Sequence, residues 1–396
     1  MPHRTVARGG ERGTGMDERI TQEARHFIDT VRRFVRDECM PVEDSIEETG
    51  RLPDALIGKM RDMGLFGLRI PSGYGGAGMN LLDYCYALKE LSKSHDAIRA
   101  IMSVNNGIGS MAIVNEGTEE QKRHYLPLLA SGEYIASFAL TEPGAGSDAS
   151  ALTTMAERTE KGWVLNGMKH FITNAPIADI FTVIALTDKE KRAKGGISAF
   201  LVDKGSRGLR IGNVHSTMGG KGWLQAEVIF EDCLVPDAGL LGMPGSGFRI
   251  AMKTLNEGRL SAAASAIGIG ERLLSMGVEY AKLRKQFGKP IAEFEAIQWM
   301  LADSATELYA ADRMLADTAS RFDHGEDIRT HSSMTKLFAT EAAFRVADRV
   351  LQLHGGMGFM KETKIERLFR DIRAYRIFEG TSEIQRFMIA RELLKD

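Results

Sequence analysis

The apolar residues of this chain change their spacing twice, and that double change limits the folds open to it. From about residue 245 to the end they recur three and four apart. Leu301, Ser304, Leu308, Ala311 and Leu315 form a seam of alternating large and small residues, the pattern of a helix face packed in a bundle. Helical runs of this kind cover about 246–283, 294–322 and 330–354. Upstream, the short β-prone runs "DIFTVIAL", "ISAFLVD" and "QAEVIFED" follow turn signals at Lys161-Gly162 and Asn166-Gly167. Before these the helical period rules again. "PDALIGKMRDMG" opens on Pro53 and stops at Gly64, and "TEEQKRHYLPLLASG" opens on a capping box, Thr118 with Gln121, and stops at Gly132. The expectation is an α+β multidomain chain: a helical domain over 18–132, a small β barrel or sandwich over 133–243, and a helix bundle over 244–396. Residues 1–17 are rich in Arg and Gly, lack an apolar h-region, and read as a disordered extension in which Met16 offers a second start.

Charge and cysteines exclude several functions. A net charge of -2 gives no reason to expect nucleic acid or an acidic membrane as the main partner. No uninterrupted apolar run reaches the roughly 18 residues of a membrane span. Cys39, Cys85 and Cys233 lie far apart and form no CxxC, which suits a reducing compartment and argues against a disulfide framework or a zinc site.

Four stretches carry chemistry. "AYRIFEGTSEIQR" leads a lone acid, Glu379, in behind Ile377 and Phe378 and follows it with Gly380. It is either a loop glutamate facing water or a carboxylate held in an apolar pocket to take a proton. "FALTEPGAGSDAS" runs from a strand into a loop whose glycines bare backbone N–H groups beside Thr141, Glu142, Ser147 and Asp148. Such a loop holds a polar ring or a phosphate, or is a plain turn. It has no GxSxG, so it is no nucleophile elbow. In "KHFITNA", Phe171 and Thr173 alternate with Ile172 and share a strand face, suited to a flat cofactor or to core packing. "RKQFGKPI" offers Arg284 and Lys285 to a pyrophosphate or to solvent. Beside these, "QLHGGMGFMKETKIERLFRD" has three glycines, Gly355, Gly356 and Gly358, where a helix cap needs one. His354 there reads as structural, because no second His or acid stands at ligand spacing, and no metal is expected.

Together these stretches resemble the acyl-CoA dehydrogenase family. "ALTEPGAGSDASA" fits its first signature, "QLHGGMGFMKETKIERLFRD" its second, and "IFEGTSEIQR" is similar to its catalytic-base segment. They stand in family order, and the likeness runs from about Glu18 to the C-terminus. The resemblance implies a C-terminal four-helix bundle and noncovalent FAD. Phe138, Leu140, Thr141 and Ser147 match the first flavin loop, and Phe171 and Thr173 the flavin-flanking strand, although many relatives carry Trp where Phe171 stands. Arg284, Gln286 and Phe287 match a segment that reaches a neighbouring subunit's FAD. Gln352, Gly356, Thr381 and Glu383 match further FAD contacts. A shared cofactor implies an obligate oligomer, in this family commonly a homotetramer built as a dimer of dimers.

For substrate, Asn256 and Arg259 of "LNEGR" match contacts to the CoA thioester arm, though relatives usually carry Asp at 256. Ser147 approaches the pantetheine, and Phe378 and Gly380 flank the base. A few subfamilies place the base two residues after the Asn256 position. Gly258 stands there, and Glu257 would point about 100° away on a helix, which leaves Glu379. The implied reaction removes the α-proton of an acyl-CoA with Glu379 as the β-hydride passes to flavin. The enolate is held by a flavin ribityl hydroxyl and the Glu379 N–H, and electrons then go to electron transfer flavoprotein. Apolar neighbours such as Phe378 are expected to raise the carboxyl from about 4.3 towards neutrality when ligand excludes water. Such a reaction belongs to fatty-acid or branched-chain amino-acid breakdown, in the cytoplasm if the source is bacterial and otherwise in the mitochondrial matrix. "IMSVNNG" resembles the pocket helix of short-chain members, while Gly107 and Gly109 leave room for longer or branched groups. The alternatives are an acyl-CoA oxidase or a non-enzymatic flavin- or nucleic-acid-binding relative.

Overall fold

The computed structural model describes residues 17–395. The extension expected over 1–17 therefore lies outside the described residues, apart from Asp17. That residue belongs to the folded body instead: its buried carboxylate pairs with Arg19 and, at 3.1 Å, with Arg313 far along the chain.

The first region is helical: α1 (Gln22–Phe34), α2 (Glu43–Thr49), α3 (Asp54–Asp62), α4 (Leu81–Leu91), α5 (Asp96–Val104), α6 (Met111–Glu116) and α7 (Glu119–Ser131). Local chemistry sets the ends. The capping box of α7 forms in both directions, with Gln121 N–H donating to Thr118 Oγ1 at 3.2 Å and Thr118 N–H to Gln121 Oε1 at 3.0 Å. Pro53 sits one position outside α3, as its N-cap, and Gly64 turns away left-handed two residues after its end. Between α5 and α6 the chain widens into a π turn, and Gly107 leaves helical dihedrals at φ -101°, ψ -109°. Residues 96–116 are long and apolar enough to cross a membrane by length and composition, but 83% of that window is buried inside the protein.

The middle region holds β1 (Ala136–Ala139), β2 (Met155–Thr159), β3 (Gly162–Thr173), β4 (Ile180–Leu186), β5 (Ile197–Asp203), β6 (Leu209–Val214), β7 (Gln225–Val235) and β8 (Leu240–Leu241). They make one sheet in the order β6-β7-β3-β2-β4-β5-β8, with β1 added parallel to β4. The sheet curls: Trp163 of β3 and Phe200 of β5 are separated by two strands yet their rings lie 5.4 Å apart. Every residue of β4 is buried, because it faces two cores. Phe181, Val183 and Ala185 fill the inside of the curl, and Ile180, Ile184 and Leu186 pack towards the helices, the period-two pattern of a covered strand.

The last region is α8 (Gly247–Leu283), a hairpin of β9 (Lys285–Gln286) and β10 (Lys289–Pro290), then α9 (Glu295–Asp323), α10 (Arg329–His354), α11 (Ile365–Arg373) and α12 (Ser382–Leu393). Ser304, Leu308, Ala311 and Leu315 are buried along α9 as the seam requires, with Leu301 half-buried at its start. The two helical regions share a core: α1, α4 and α5 contribute to one cluster with Leu260, Ala263 and Ile267 of α8, Leu315 of α9 and Ala339 of α10. Close approach makes this fit. A Cβ on Gly268 of α8 would lie 2.1 Å from the Lys89 carbonyl of α4.

Candidate active site

Glu379 stands between α11 and α12 on two consecutive left-handed residues, with φ 54° at Glu379 and φ 90° at Gly380. Gly380 carries that conformation without penalty; a side-chain-bearing glutamate does not, and such strain collects at functional sites. The turn is clamped. Gln385 Nε2 donates to the carbonyls of Glu379 (3.0 Å) and Gly380 (2.9 Å), and Lys336 Nζ donates to the Gly380 carbonyl at 2.9 Å. Thr381 Oγ1 caps α12 by accepting from Ile384 N–H. The Glu379 residue is half-buried, but its Oε2 is sealed from solvent and has no hydrogen-bond partner. Burial pushes the carboxyl up to about 7, against the opposing pull of Lys336, Arg99 and Arg259. The upward shift expected from ligand binding is thus built into the packing.

Next to Glu379, Phe378 meets Trp223 edge-on at 5.4 Å and Tyr375 at 4.8 Å, a cluster of rings beside the turn. Across from it, a Cβ on Gly258 would come 2.6 Å from Glu379 Oε2 and 3.1 Å from Ile108. The carboxylate occupies the space a side chain at 258 would take. Glu257 faces elsewhere: its Oε2 pairs with Arg69 at 2.7 Å, both groups buried. Arg259 is buried on the same helix and donates to Asn256 Oδ1 (2.9 Å) and Ser333 Oγ (3.3 Å), while its Nε is buried without a partner.

The loop after β1 and the end of β3 come together through a buried ion pair that the sequence does not announce. Lys169 Nζ donates to the Leu140 carbonyl at 3.0 Å and to Glu142 Oε1 at 2.7 Å. Glu142 also accepts from Thr153 N–H, Thr153 Oγ1 and Thr154 N–H. Burial would raise Glu142, yet Lys169 and these donors hold it at about 2; burial lowers Lys169 to about 8. His170 N–H then donates to the Thr141 carbonyl at 2.8 Å. Phe138 and Leu140 are buried at the base of this loop, Thr141 and Thr173 half-buried, and Ser147 exposed. Phe171 and Thr173 both face outwards around buried Ile172, but not by regular alternation. A bulge between Lys169 and Ile172 throws Phe171 into φ 58°, 57% exposed.

This donor set fits a flavin. The Phe171 ring stands exposed, and Cβ atoms on Gly144 and Gly146 would meet nothing within 4 Å, so the loop faces open space.

The remaining matched positions lie elsewhere. Arg284, Gln286 and Phe287 are exposed on the β9–β10 hairpin, with Phe287 92% exposed at φ 52°. Gln352 and Gly356 are exposed at the end of α10, which meets the end of α8 through stacked Tyr280 and His354 at 4.1 Å. His354 is buried with Nδ1 2.7 Å from the Val350 carbonyl. From Lys336 to Gln352 is 16 residues of one helix, about 24 Å at 1.5 Å per residue. Among the described residues, no group of three or more His, Cys, Asp or Glu could hold a metal ion.

A helix–sheet–helix frame that holds a sealed carboxylate and an open glycine-rich loop pinned to a strand is the frame of a flavin-dependent oxidoreductase. The chain belongs to the acyl-CoA dehydrogenase family, whose N-terminal, middle and C-terminal domain models match residues 21–133, 137–233 and 245–394. It is 43% identical to an acyl-CoA dehydrogenase of Bacillus subtilis over 375 residues, 95% of this chain and 99% of that protein. It is also 43% identical to an acryloyl-CoA reductase (NADH) of Anaerotignum propionicum over 387 residues, 97% of this chain and 98% of the other. Butyryl-CoA dehydrogenase from Megasphaera elsdenii superposes with a TM-score of 0.92 at 35% identity, covering 96% of this chain and 100% of that one. Solved neighbours also include FAD complexes and a chain from a study of an electron transferring flavoprotein. The cofactor is FAD.

Proposed function

We propose that the protein removes the α- and β-hydrogens of a short-chain acyl-CoA, giving the trans-2-enoyl-CoA, with Glu379 as the base. The observation that carries this is the sealed Glu379 Oε2, held without a partner in a clamped left-handed turn. Bound FAD supplies the two-electron acceptor for the β-hydride. Thr141, Ser147, Phe171 and Thr173 would hold it, and the Glu142–Lys169 pair fixes their loop. Arg259 and Asn256 orient the thioester arm. The Glu379 N–H, which donates to no backbone oxygen among the described residues, supports the developing enolate oxygen. Glu379 Oε2 then takes the α-proton. The rings of Phe378, Trp223 and Tyr375 exclude water from that transfer.

Short-chain preference rests on "IMSVNNG" and on the likeness to a protein named butyryl-CoA dehydrogenase. Electron transfer flavoprotein is the proposed acceptor. A second reading, reduction of a 2-enoyl-CoA, draws on the carboxyl at about 7, which gives a proton as readily as it takes one at neutral pH, and on the relative named acryloyl-CoA reductase. We further propose an oligomer in which the β9–β10 hairpin and the end of α10 serve a neighbour's cofactor, because these residues stand exposed and Gln352 lies about 24 Å along α10 from Lys336.

The test is single-turnover flavin bleaching. Butyryl-CoA should bleach the flavin faster than octanoyl-CoA. Glu379→Gln should bind acyl-CoA and FAD normally and lose bleaching by about 10⁴-fold or more, the upper end of general-base effects. Bleaching within a few-fold of wild type would reject Glu379 as the base. Crotonyl-CoA reoxidising the reduced flavin faster than butyryl-CoA reduces it would favour the reductive direction.

A further inference from the structure

Helix α10 meets the base turn at three points. Glu341 accepts from Ser382 Oγ at 2.6 Å and from Arg376 Nε at 2.9 Å, and Lys336 donates to the Gly380 carbonyl at 2.9 Å. The first two are half-buried contacts between well-matched partners. Lys336 is different. Its residue is fully buried, and among the described residues the Gly380 carbonyl is the one acceptor for its three donors. A buried ammonium so poorly matched is a costly element of a helix interface, and an apolar side chain of similar length would be no less stable there. Its ammonium sits against the turn that carries Glu379, one residue from the carboxylate-bearing position.

Of the other two charges around the base, one is already paired with an acid. Arg99, from α5, is bound through two nitrogens to Asp96, with contacts of 2.8–3.0 Å. Arg259, from α8, donates to the neutral side chains of Asn256 and Ser333, so its charge also acts on Glu379. Around Lys336 itself, Glu341 is paired with Arg376, Glu383 is exposed, and Arg259 repels it. The buried carboxylate of Glu379 is left as the anion that balances the ammonium.

We propose that Lys336 is a positioning residue for the base: its ammonium fixes the left-handed Glu379–Gly380 turn through the Gly380 carbonyl and supplies the positive charge against which Glu379 ionises. The inference rests on Glu379 being the base. In support, Lys336 is the largest of the charges opposing the rise that burial imposes on Glu379, and burial lowers Lys336 itself to about 8. The ammonium therefore still carries its charge where the base must lose its proton.

The experiment is the pH dependence of single-turnover flavin reduction by saturating butyryl-CoA in holoenzyme, with FAD content measured on every variant. In Lys336→Met the acid limb should move to higher pH by about 1–3 units, the effect of removing a nearby opposite charge. The rate should recover towards wild type at high pH. Lys336→Arg, which keeps charge and donor, should leave the limb in place. Lys336→Gln keeps a donor to Gly380 and removes only the charge, so it should move the limb with FAD content normal even if the Met variant loses flavin. An unmoved limb in Lys336→Gln with a uniformly lower rate would overturn the proposal, because a packing role does that. Glu379→Gln run alongside separates the two readings. If it retains turnover, the base assignment fails. If it is dead while the limb of Lys336→Gln stays put, only the role of Lys336 fails.

Discussion

At the scale of the residue, the carboxylate proposed as the base stands out because its signal is local. An acid behind two apolar residues and ahead of a glycine can be read from "IFEG" alone, and the left-handed pair at 379 and 380 explains why the glycine follows. Its partners were not legible. Lys336 lies 43 residues before Glu379 and reads as one more lysine on a helix until the fold brings α10 beneath the turn. Gly258 is readable as an absence, and the structure gives that absence a use. Gly258→Ala should insert a Cβ where Glu379 Oε2 now sits, 2.6 Å away. A displaced base of this kind loses about 10²-fold, so flavin reduction should slow by that order while FAD content and fold stay normal. A rate within two-fold of wild type would mean the carboxylate moves aside at no cost. The pH dependence of stability follows from the same site. Burial raises Glu379 to about 7 in the folded chain against 4.5 for the free group. The protonated form is therefore favoured by folding, and stability is lost as pH rises from the lower value through the upper one. Glu379→Gln cannot ionise, so it should raise Tm above wild type at pH 8 and match it near pH 4.5. Equal Tm differences at both pH values would show that the carboxyl is not desolvated.

At the scale of the element, period and caps carried most of the reading. The three long helices begin and end within a residue of their expected limits, and the α7 capping box forms as its sequence requires. What failed to show was anything set by pairing at a distance. Strict alternation places Phe171 on one face with Thr173, and the bulge that does so with φ 58° depends on how β3 pairs with β7. The Glu142–Lys169 pair spans 27 residues and two elements. It makes the flavin loop a test case. Lys169→Met should strand a buried carboxylate, a change that typically costs about 3–5 kcal/mol, and it should release FAD. Adding Glu142→Gln should restore most of the stability, since replacing both partners leaves no uncompensated charge. Chemical denaturation of the single and double variants decides this; a double variant as weak as Lys169→Met would mean the pair's donors, not its charge, hold the loop.

At the scale of the whole molecule, the α-β-α order was readable, yet the first and last regions are one packed body. Ile98, Leu260, Leu315 and Ala339 sit in a single core, and nothing in a hydrophobic period tells which distant helix will share it. The same limit bears on the proposed division of the site between chains. Lys336, beneath the Glu379 turn, and Gln352 lie about 24 Å apart along α10, and Arg284, Gln286, Phe287, Gln352 and Gly356 all stand exposed. If each cofactor is completed by a neighbour's hairpin, then the two halves of a site can be broken on different chains. Arg284→Ala alone should lower FAD affinity, and so should Thr141→Val alone. Chains carrying one change each, mixed under conditions that exchange subunits, should regain flavin. Every mixed pair holds one site with both halves intact and one with both broken, whereas every unmixed pair holds two half-broken sites. Flavin retained after gel filtration reads the difference directly. Normal FAD affinity in Arg284→Ala, or no recovery on mixing, would place the hairpin outside any shared site.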